Sequence, residues 1–236
     1  MKAFSDGRLL AAASLVRDGA VFADIGTDHA YLPLYLLSCG RIARAVAADI
    51  GEGPLSRAHA NIVAAGEEER VKTVLTDGLT GLENEGLTDV AICGMGGELI
   101  RDLLSAAPFV HRAGVRLVLQ PMTRAATLRR YLAENGFAIV EEIPCRAAGR
   151  VYVCIGAEFD GVRRTLSPAR AEVGSPTCRT EEEREIFAQL LARKIRALTD
   201  KEKALRTATL ALSGEDAQLL AELLKIQQEM GLSHDG

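Results

Sequence analysis

The sequence predicts an α/β fold: a mostly parallel sheet with an antiparallel edge, followed by a helical hairpin. Three observations predict it. Up to Phe159, short apolar runs alternate with helix-spaced patterns through five strand–helix repeats. Two longer strand-like runs close that stretch with only Ala147-Ala148-Gly149 between them. That gap is too short for a crossover helix, so the two runs pair as a hairpin. From Glu181 onward, leucine and isoleucine recur at three-, four- and seven-residue steps, the pattern of packed helices.

The elements follow in order. Residues 5–16 read as an amphipathic helix with Leu9, Leu10, Ala13 and Val16 on one face. Residues 20–24 are a short apolar run ending in Asp24 and followed by Gly26, which suits a buried parallel strand. Residues 31–37 read as helix and 43–48 as a second strand ahead of Asp49. Residues 54–65 form a helix with Pro54 in its first turn. Strands are expected at 71–75, 89–93 and 116–120, with helices at 98–106 and 125–135, the last closed by Gly136. Residues 138–145 and 150–159 are the hairpin. Residues 161–180 hold two prolines and two glycines and read as a connector. The first C-terminal helix is expected to be interrupted at Glu202, and Gly214 to break the run before a second helix ending near Met230. A sheet domain over 1–163 and a helical domain over 164–236 are the expected division.

The chain has 236 residues, 48% hydrophobic and 25% charged, enough to bury a core without disulfide or metal staples. No apolar run approaches the length of a membrane span, and no basic start with an apolar stretch behind it marks a secretory leader. Five cysteines (Cys39, Cys93, Cys145, Cys154, Cys178), odd in number and without CxxC spacing, fit reduced thiols in a cytoplasm. The histidines His29, His59, His111 and His234 are too dispersed for a zinc site, and no metal is expected. The formal charge of −4, with 4% aromatics and no Trp, points away from nucleic acid when taken as one number. Its distribution does not. Residues 1–111 carry net −6, residues 112–170 carry ten Arg and no Lys for net +5, and residues 171–236 carry net −3. The guanidinium fork matches phosphate oxygens better than an ammonium does.

In an open parallel sheet, ligands sit beyond the C-terminal strand ends. After the first strand the chain reads Asp24-Ile25-Gly26-Thr27-Asp28-His29-Ala30-Tyr31, with no GxGxxG, and Asp28 would repel a pyrophosphate. A dinucleotide enzyme is therefore disfavoured. A carboxylate-rich crevice suits a cationic ligand that carries a ribose, and S-adenosylmethionine meets both requirements. Asp49 stands where nucleoside-binding folds place a ribose acceptor. Asp77-Gly78 offers an acceptor for the adenine amino group, and Gly94-Met95-Gly96-Gly97 leaves backbone open where a methyl group would be delivered. Helix N-capping is the structural alternative for Asp28 and Asp77.

The segments ADIGTDHAYLP (23–33), Gly53-Pro54-Leu55, Asp77-Gly78-Leu79, ICGMGG (92–97) and Leu119-Gln120-Pro121 resemble the bacterial tRNA adenine-N1 methyltransferases that act on adenine 22. The resemblance covers roughly residues 8–160. It implies a Rossmann-like class I methyltransferase fold, S-adenosylmethionine as cofactor and tRNA as partner, with a small coiled-coil-like C-terminal domain. The cofactor set it implies is Asp24, Gly26, Thr27, His29, Asp49, Ile50, Asp77, Gly78, Gly94 and Met95. Met122 stands where such proteins often carry Asn, which leaves the contacts to the target base open.

Adenine N1 already carries a lone pair, so the chemistry asks for positioning and charge support more than for a strong base. Asp28 and Gln120 are the catalytic candidates, Asp28 facing either the base amino edge or the cofactor amino group. His29 is either a crevice residue or a helix-start residue, and Tyr31 either a stacking or a packing residue. Arg124, Arg129 and Arg130 are expected on tRNA phosphates. Arg146 and Arg150 bracket the hairpin turn, whose end of the sheet the sequence does not fix. The rival readings are a class I methyltransferase on another RNA or a small molecule, and a non-catalytic cofactor-binding RNA adaptor. The oligomeric state is open, with a monomer as default, and the helical hairpin is a brace, a dimer contact or a clamp.

Overall fold

The computed structural model describes residues 6–231. Its chain order is α1 (Gly7–Leu15), β1 (Ala20–Ile25), α2 (Tyr31–Ser38), β2 (Ile42–Asp49), α3 (Glu52–Ala65), β3 (Val71–Leu75) and β4 (Asp89–Gly96). There follow α4 (Gly97–Ser105), β5 (Arg116–Thr123), α5 (Ala125–Glu134), β6 (Phe137–Ala147) and β7 (Arg150–Phe159). The chain ends in α6 (Pro168–Val173), α7 (Glu181–Thr207) and α8 (Gly214–Glu229). The seven strands form one sheet in the order β3-β2-β1-β4-β5-β7-β6. The first five are parallel, and β7 and β6 pair antiparallel at the edge. Strand order reverses between β1 and β4, so the crevice opens at the C-terminal ends of those two strands.

The two-residue side-chain period sorts the core into two layers. Phe22 and Ala47 face one side with α1, α2 and α3. Ala23, Ile25, Val46 and Ile92 face the other with α4 and α5. That second layer also takes Phe187, Leu190, Leu191 and Ile195 from α7 and Leu223 from α8. The first half of α7 thus shares its core with the sheet, while its second half carries polar and exposed residues.

The hairpin turns on Ala148 and Gly149, both at positive φ, the geometry of a two-residue turn whose twist matches its strands. Because β7 runs antiparallel to β5, with Leu119 opposite Ile155, this turn lies at the crevice end of the sheet. The position of Arg146 and Arg150, left open by the sequence, is therefore beside the candidate site.

Four expectations change. The first helix starts at Gly7 under an Asp6 cap, and Ser5 lies outside the described residues, as does His234. The connector contains α6, begun by Ser167 as N-cap and Pro168 in its first turn. Helix α7 runs without interruption through Glu202, which faces solvent and pairs with Arg206 one turn on. Gly214 does not terminate a helix; it opens α8, capped by Ser213, whose hydroxyl accepts from the Asp216 N–H.

The shared core predicts one cooperative unfolding transition for the chain. Leu191→Ala, at a fully buried site on α7, should lower stability by about 2–5 kcal/mol and shift the whole transition in a denaturant titration. Two resolved transitions, with only one displaced, would show that the C-terminal helices have a core of their own.

Candidate active site

The ends of β1, β4 and β5 build the crevice, and bonds that the local sequence makes possible hold them in place. The β1 turn is latched to β2 by Gly26 N–H and Thr27 N–H, both donating to Ala48 O at 2.8 and 3.0 Å. Gly26 sits at φ +77°, which only glycine adopts freely, and a Cβ there would meet the tip of Met95. Thr27 is buried and its hydroxyl accepts from Ala30 N–H at 3.1 Å, fixing the entry of α2. Asp49 ends β2 and accepts from Gly51 N–H at 2.7 Å.

Strand β4 loses register with β5 around Gly94, which stands at φ +81°. Gln120 stabilises this irregularity. Its amide is 1% exposed; Oε1 accepts from Gly94 N–H at 3.1 Å, and Nε2 donates to Pro121 O at 3.1 Å. Both ends of the amide are thus committed to β4 and β5. Met122 completes the arrangement: its thioether sulfur lies 3.7 Å from Gln120 Nε2 and 3.0 Å from Arg8 Nη1. A thioether is a weak acceptor, and here it occupies the position for which the sequence suggested Asn.

The resulting crevice, about 160 Å³, is lined by Asp24, Gly26, Thr27, Asp28, His29, Tyr31, Gly94 and Gln120, with Arg8 and Cys93. Asp24 is 8% exposed. Burial pushes its carboxyl up to about 6, against a downward pull from the Thr27 hydroxyl and with a further upward push from the nearby Asp49 charge. Among the described residues no cation forms an ion pair with it. Burial also pushes the Cys93 thiol up, beyond the range in which it would ionise. Asp28 stands at the mouth, bound by Arg57 Nε at 2.9 Å and 3.3 Å from His29 Nε2. The His29 ring stacks on Tyr31 with centroids 4.8 Å apart and planes 15° from parallel. Tyr31 is 51% exposed, an aromatic face turned outward rather than into the core. Ile50 (70% exposed), Asp77 and Gly78 stand at the ends of β2 and β3, outside the residues that line the crevice. Among the described residues no group of His, Cys, Asp or Glu is placed to hold a metal, and no helix is long and apolar enough to cross a membrane.

A second cavity, about 410 Å³, adjoins the end of β5. Met122, Arg124 and Arg130 line one side, and Arg193 and Lys194 of α7 the other. Arg124 opens α5 at φ 55° and is exposed, as are Arg130 and Arg193. Among the described residues these three make no ion pair, whereas Lys194 is bound to Glu172. Arg129 corrects the sequence reading. Helical geometry turns it inward, where it is 1% exposed and pairs with Glu142, so it has no guanidinium face left for a phosphate.

Arg8, Arg57 and Asn61 escaped the sequence reading. Arg57 lies one turn after Gly53-Pro54, and side chains in a helix lean toward its N-terminus, here toward the crevice. Asn61, four residues on, shares that face and donates to His29 O at 3.0 Å. That spacing was the available signal. Nothing local marked Arg8, whose partner Met122 is 114 residues away.

A family of sequences described as a methyltransferase domain matches residues 5–155. The chain is 33% identical over 162 residues to the tRNA (adenine(22)-N(1))-methyltransferase of Bacillus subtilis, covering 66% of this chain and 68% of that one. Among solved structures, a Streptococcus pneumoniae protein described as a candidate tRNA (m1A22) methyltransferase superposes with a TM-score of 0.76 at 33% identity, covering 96% of this chain and 98% of that one. The same protein has been solved in complex with S-adenosyl-L-methionine. The B. subtilis m1A22 tRNA methyltransferase TrmK superposes with a TM-score of 0.75 at 28% identity, covering 97% and 98%.

Asp24 gives this site a pH signature. Its folded-state value of about 6 lies above the ordinary 3.8, so the folded protein holds the proton more tightly. The stability this group contributes is complete below about pH 4 and is lost as pH rises through about 6. Asp24→Asn removes that loss and should be the more stable protein at about pH 7.5, by up to about 3 kcal/mol. Denaturant titrations of both proteins across this range check it. A difference that stays constant with pH would contradict it.

Proposed function

Because the chain belongs to the methyltransferase-domain family, and within it to that of the bacterial tRNA (adenine(22)-N(1))-methyltransferases, we propose that it transfers a methyl group from S-adenosylmethionine to N1 of adenine 22 in tRNA. One observation carries the reading: a buried, unpaired carboxylate in the crevice lies beside a cavity whose exposed arginines are also unpaired. The first asks for a cationic small molecule and the second for a polyanion.

The residues fit S-adenosylmethionine. Among the described residues the Asp24 carboxylate has no cation partner, and two glycines at positive φ, Gly26 and Gly94, leave backbone open at its flanks. Asp24, Gly26, Thr27, Gly94 and Met95 would hold the methionine portion and the sulfonium, with His29 beside them. Asp49 and Ile50 would hold the ribose, and Asp77 and Gly78 the adenine. When bound, the cofactor supplies an electrophilic methyl group and a neutral thioether leaving group.

The chain's own residues supply the rest. Tyr31, backed by His29, offers the exposed ring on which a base stacks. Asp28, its direction fixed by Arg57, is the acceptor for the base amino edge or the cofactor amino group. Either role favours positive charge near the reacting nitrogen. Gln120 acts by holding the β4 and β5 ends at a fixed spacing from within the crevice lining. Arg124 and Arg130 meet phosphates from the α5 side. The helical unit, 164–236, faces the same cavity through Arg193 and Lys194. The free cysteines and a tRNA substrate support a cytoplasmic location, with a monomer as the default state.

The direct test is transfer of label from S-adenosylmethionine to tRNA transcripts that differ only at position 22. Label should enter the adenine transcript and not its guanine counterpart. Equal labelling of both would overturn the position, and cofactor binding without transfer would favour an adaptor. Replacing Arg124 and Arg130 together with Ala should weaken tRNA binding and lower the slope of log affinity against log salt by about 2, with cofactor affinity unchanged. Salt titrations that superpose on those of the parent protein would remove these arginines from the interface.

A further inference from the structure

We propose that the buried Arg129–Glu142 pair is a latch that fixes the angle of the C-terminal helices to the sheet, and so sets the spacing between the cations of α5 and those of α7. The inference rests on the tRNA reading above for its functional half only.

Among the described residues this is the one ion pair with both side chains almost wholly buried, at 1% and 3% exposure. Its bonds join four segments at one point. Arg129 on α5 donates through Nε to Glu142 Oε1 on β6 at 2.7 Å. Its Nη1 donates to the Ala171 and Glu172 carbonyls of α6, at 3.0 and 3.3 Å. The other oxygen of Glu142 accepts from the Ser175 N–H just after α6. Between them, Gly174 stands at φ +75°, and a Cβ there would fall 2.2 Å from a Glu142 oxygen. The sequence therefore supplies glycine where the carboxylate needs the space.

Helix α6 passes this constraint to the rest of the arm. Its Ala169 N–H donates to Glu222 of α8 at 3.0 Å, and its Glu172 binds Lys194 of α7. Ala169 and Val173 pack in one cluster with Leu191 and Leu223. Apolar contacts alone tolerate sliding, because burial is indifferent to small rotations. A fork of directed hydrogen bonds in a dry site is not indifferent to them. A buried ion pair is weak as a source of stability and better suited to specifying one arrangement. Here the specified quantity is the width of the cavity between Arg124 and Arg130 on one wall and Arg193 and Lys194 on the other. Phosphate contacts fix the register of a nucleic acid, so that width decides how the tRNA body sits relative to the crevice. Arg129 is thus a positioning residue that reaches the substrate only through the arm.

The test uses the full chain and a paired replacement, Arg129→Met with Glu142→Leu, which fills the volume and leaves no lone buried charge. Cooperative melting is checked first. Spin labels carried by unnatural amino acids at exposed Glu68 and Lys203 report the distance between sheet and arm. The parent protein should give one narrow distance distribution, and the paired variant a broadened or displaced one. In methylation assays the KM for tRNA should rise about threefold to tenfold, the range of couplings transmitted through a contact network. The kcat and the cofactor Kd should stay within about twofold. A folded variant with an unchanged distance distribution overturns the latch, and so does one with an unchanged KM. If the parent protein does not methylate tRNA, the functional reading falls, and the distance distribution alone decides whether the pair sets the arm.

Discussion

A carboxylate buried with no counter-charge among the described residues is the constraint around which this molecule is organised. Asp24 stands one residue before the end of β1, an inner strand between β2 and β4, where strand order reverses. Its burial raises its proton affinity, and Asp49 nearby raises it further. Such a group costs stability unless a ligand supplies the missing charge. The surrounding backbone serves that arrangement. Gly26 and Thr27 tie the β1 turn to β2, and Gln120 pins Gly94 across the β4–β5 step. The sheet thus holds open a small pocket with a buried carboxyl at its floor.

The second feature is the separation of the two fields. Half of the chain's arginines form ion pairs, as in Arg17 with Asp89 and Arg116 with Glu158. Arg124, Arg130 and Arg193, at the cavity beside β5, form none among the described residues. An overall charge of −4 conceals this because the excess acid of residues 1–111 and 171–236 offsets the excess arginine of residues 112–170. The turn of the β6–β7 hairpin brings Arg146 and Arg150 to the same end of the sheet. In the proposed reaction, a cationic methyl donor and a polyanionic substrate meet at the boundary between the two fields, near Tyr31 and Asp28.

The strand–helix alternation was legible because buried parallel strands read as short apolar runs bounded by acids and glycines, and residues 71–75 and 150–159 coincide with β3 and β7. The crevice was legible because topology alone puts residues after β1, β4 and β5 together. What escaped were properties of packing. Arg129 looks like its neighbour Arg130 in one dimension; only the helical phase of α5 against β6 decides that one is buried and the other exposed. Helix α6 hid in a stretch that composition marks as a linker, because the bonds to Arg129 and Glu222 that help to hold it join residues far apart in the sequence. Met122 departed from an expected Asn, and its contact with Arg8 joins residues far apart in the chain.

In the proposed function Asp24, with its carboxyl raised to about 6, is the group that a cationic cofactor meets. Calorimetric titration of S-adenosylmethionine into the parent protein and Asp24→Asn, near pH 6 in buffers of different ionisation enthalpy, counts the protons released on binding. The account predicts that the parent protein releases about half a proton more than the variant near pH 6, with the difference vanishing by about pH 8. Equal proton counts for the two proteins at both pH values would contradict it.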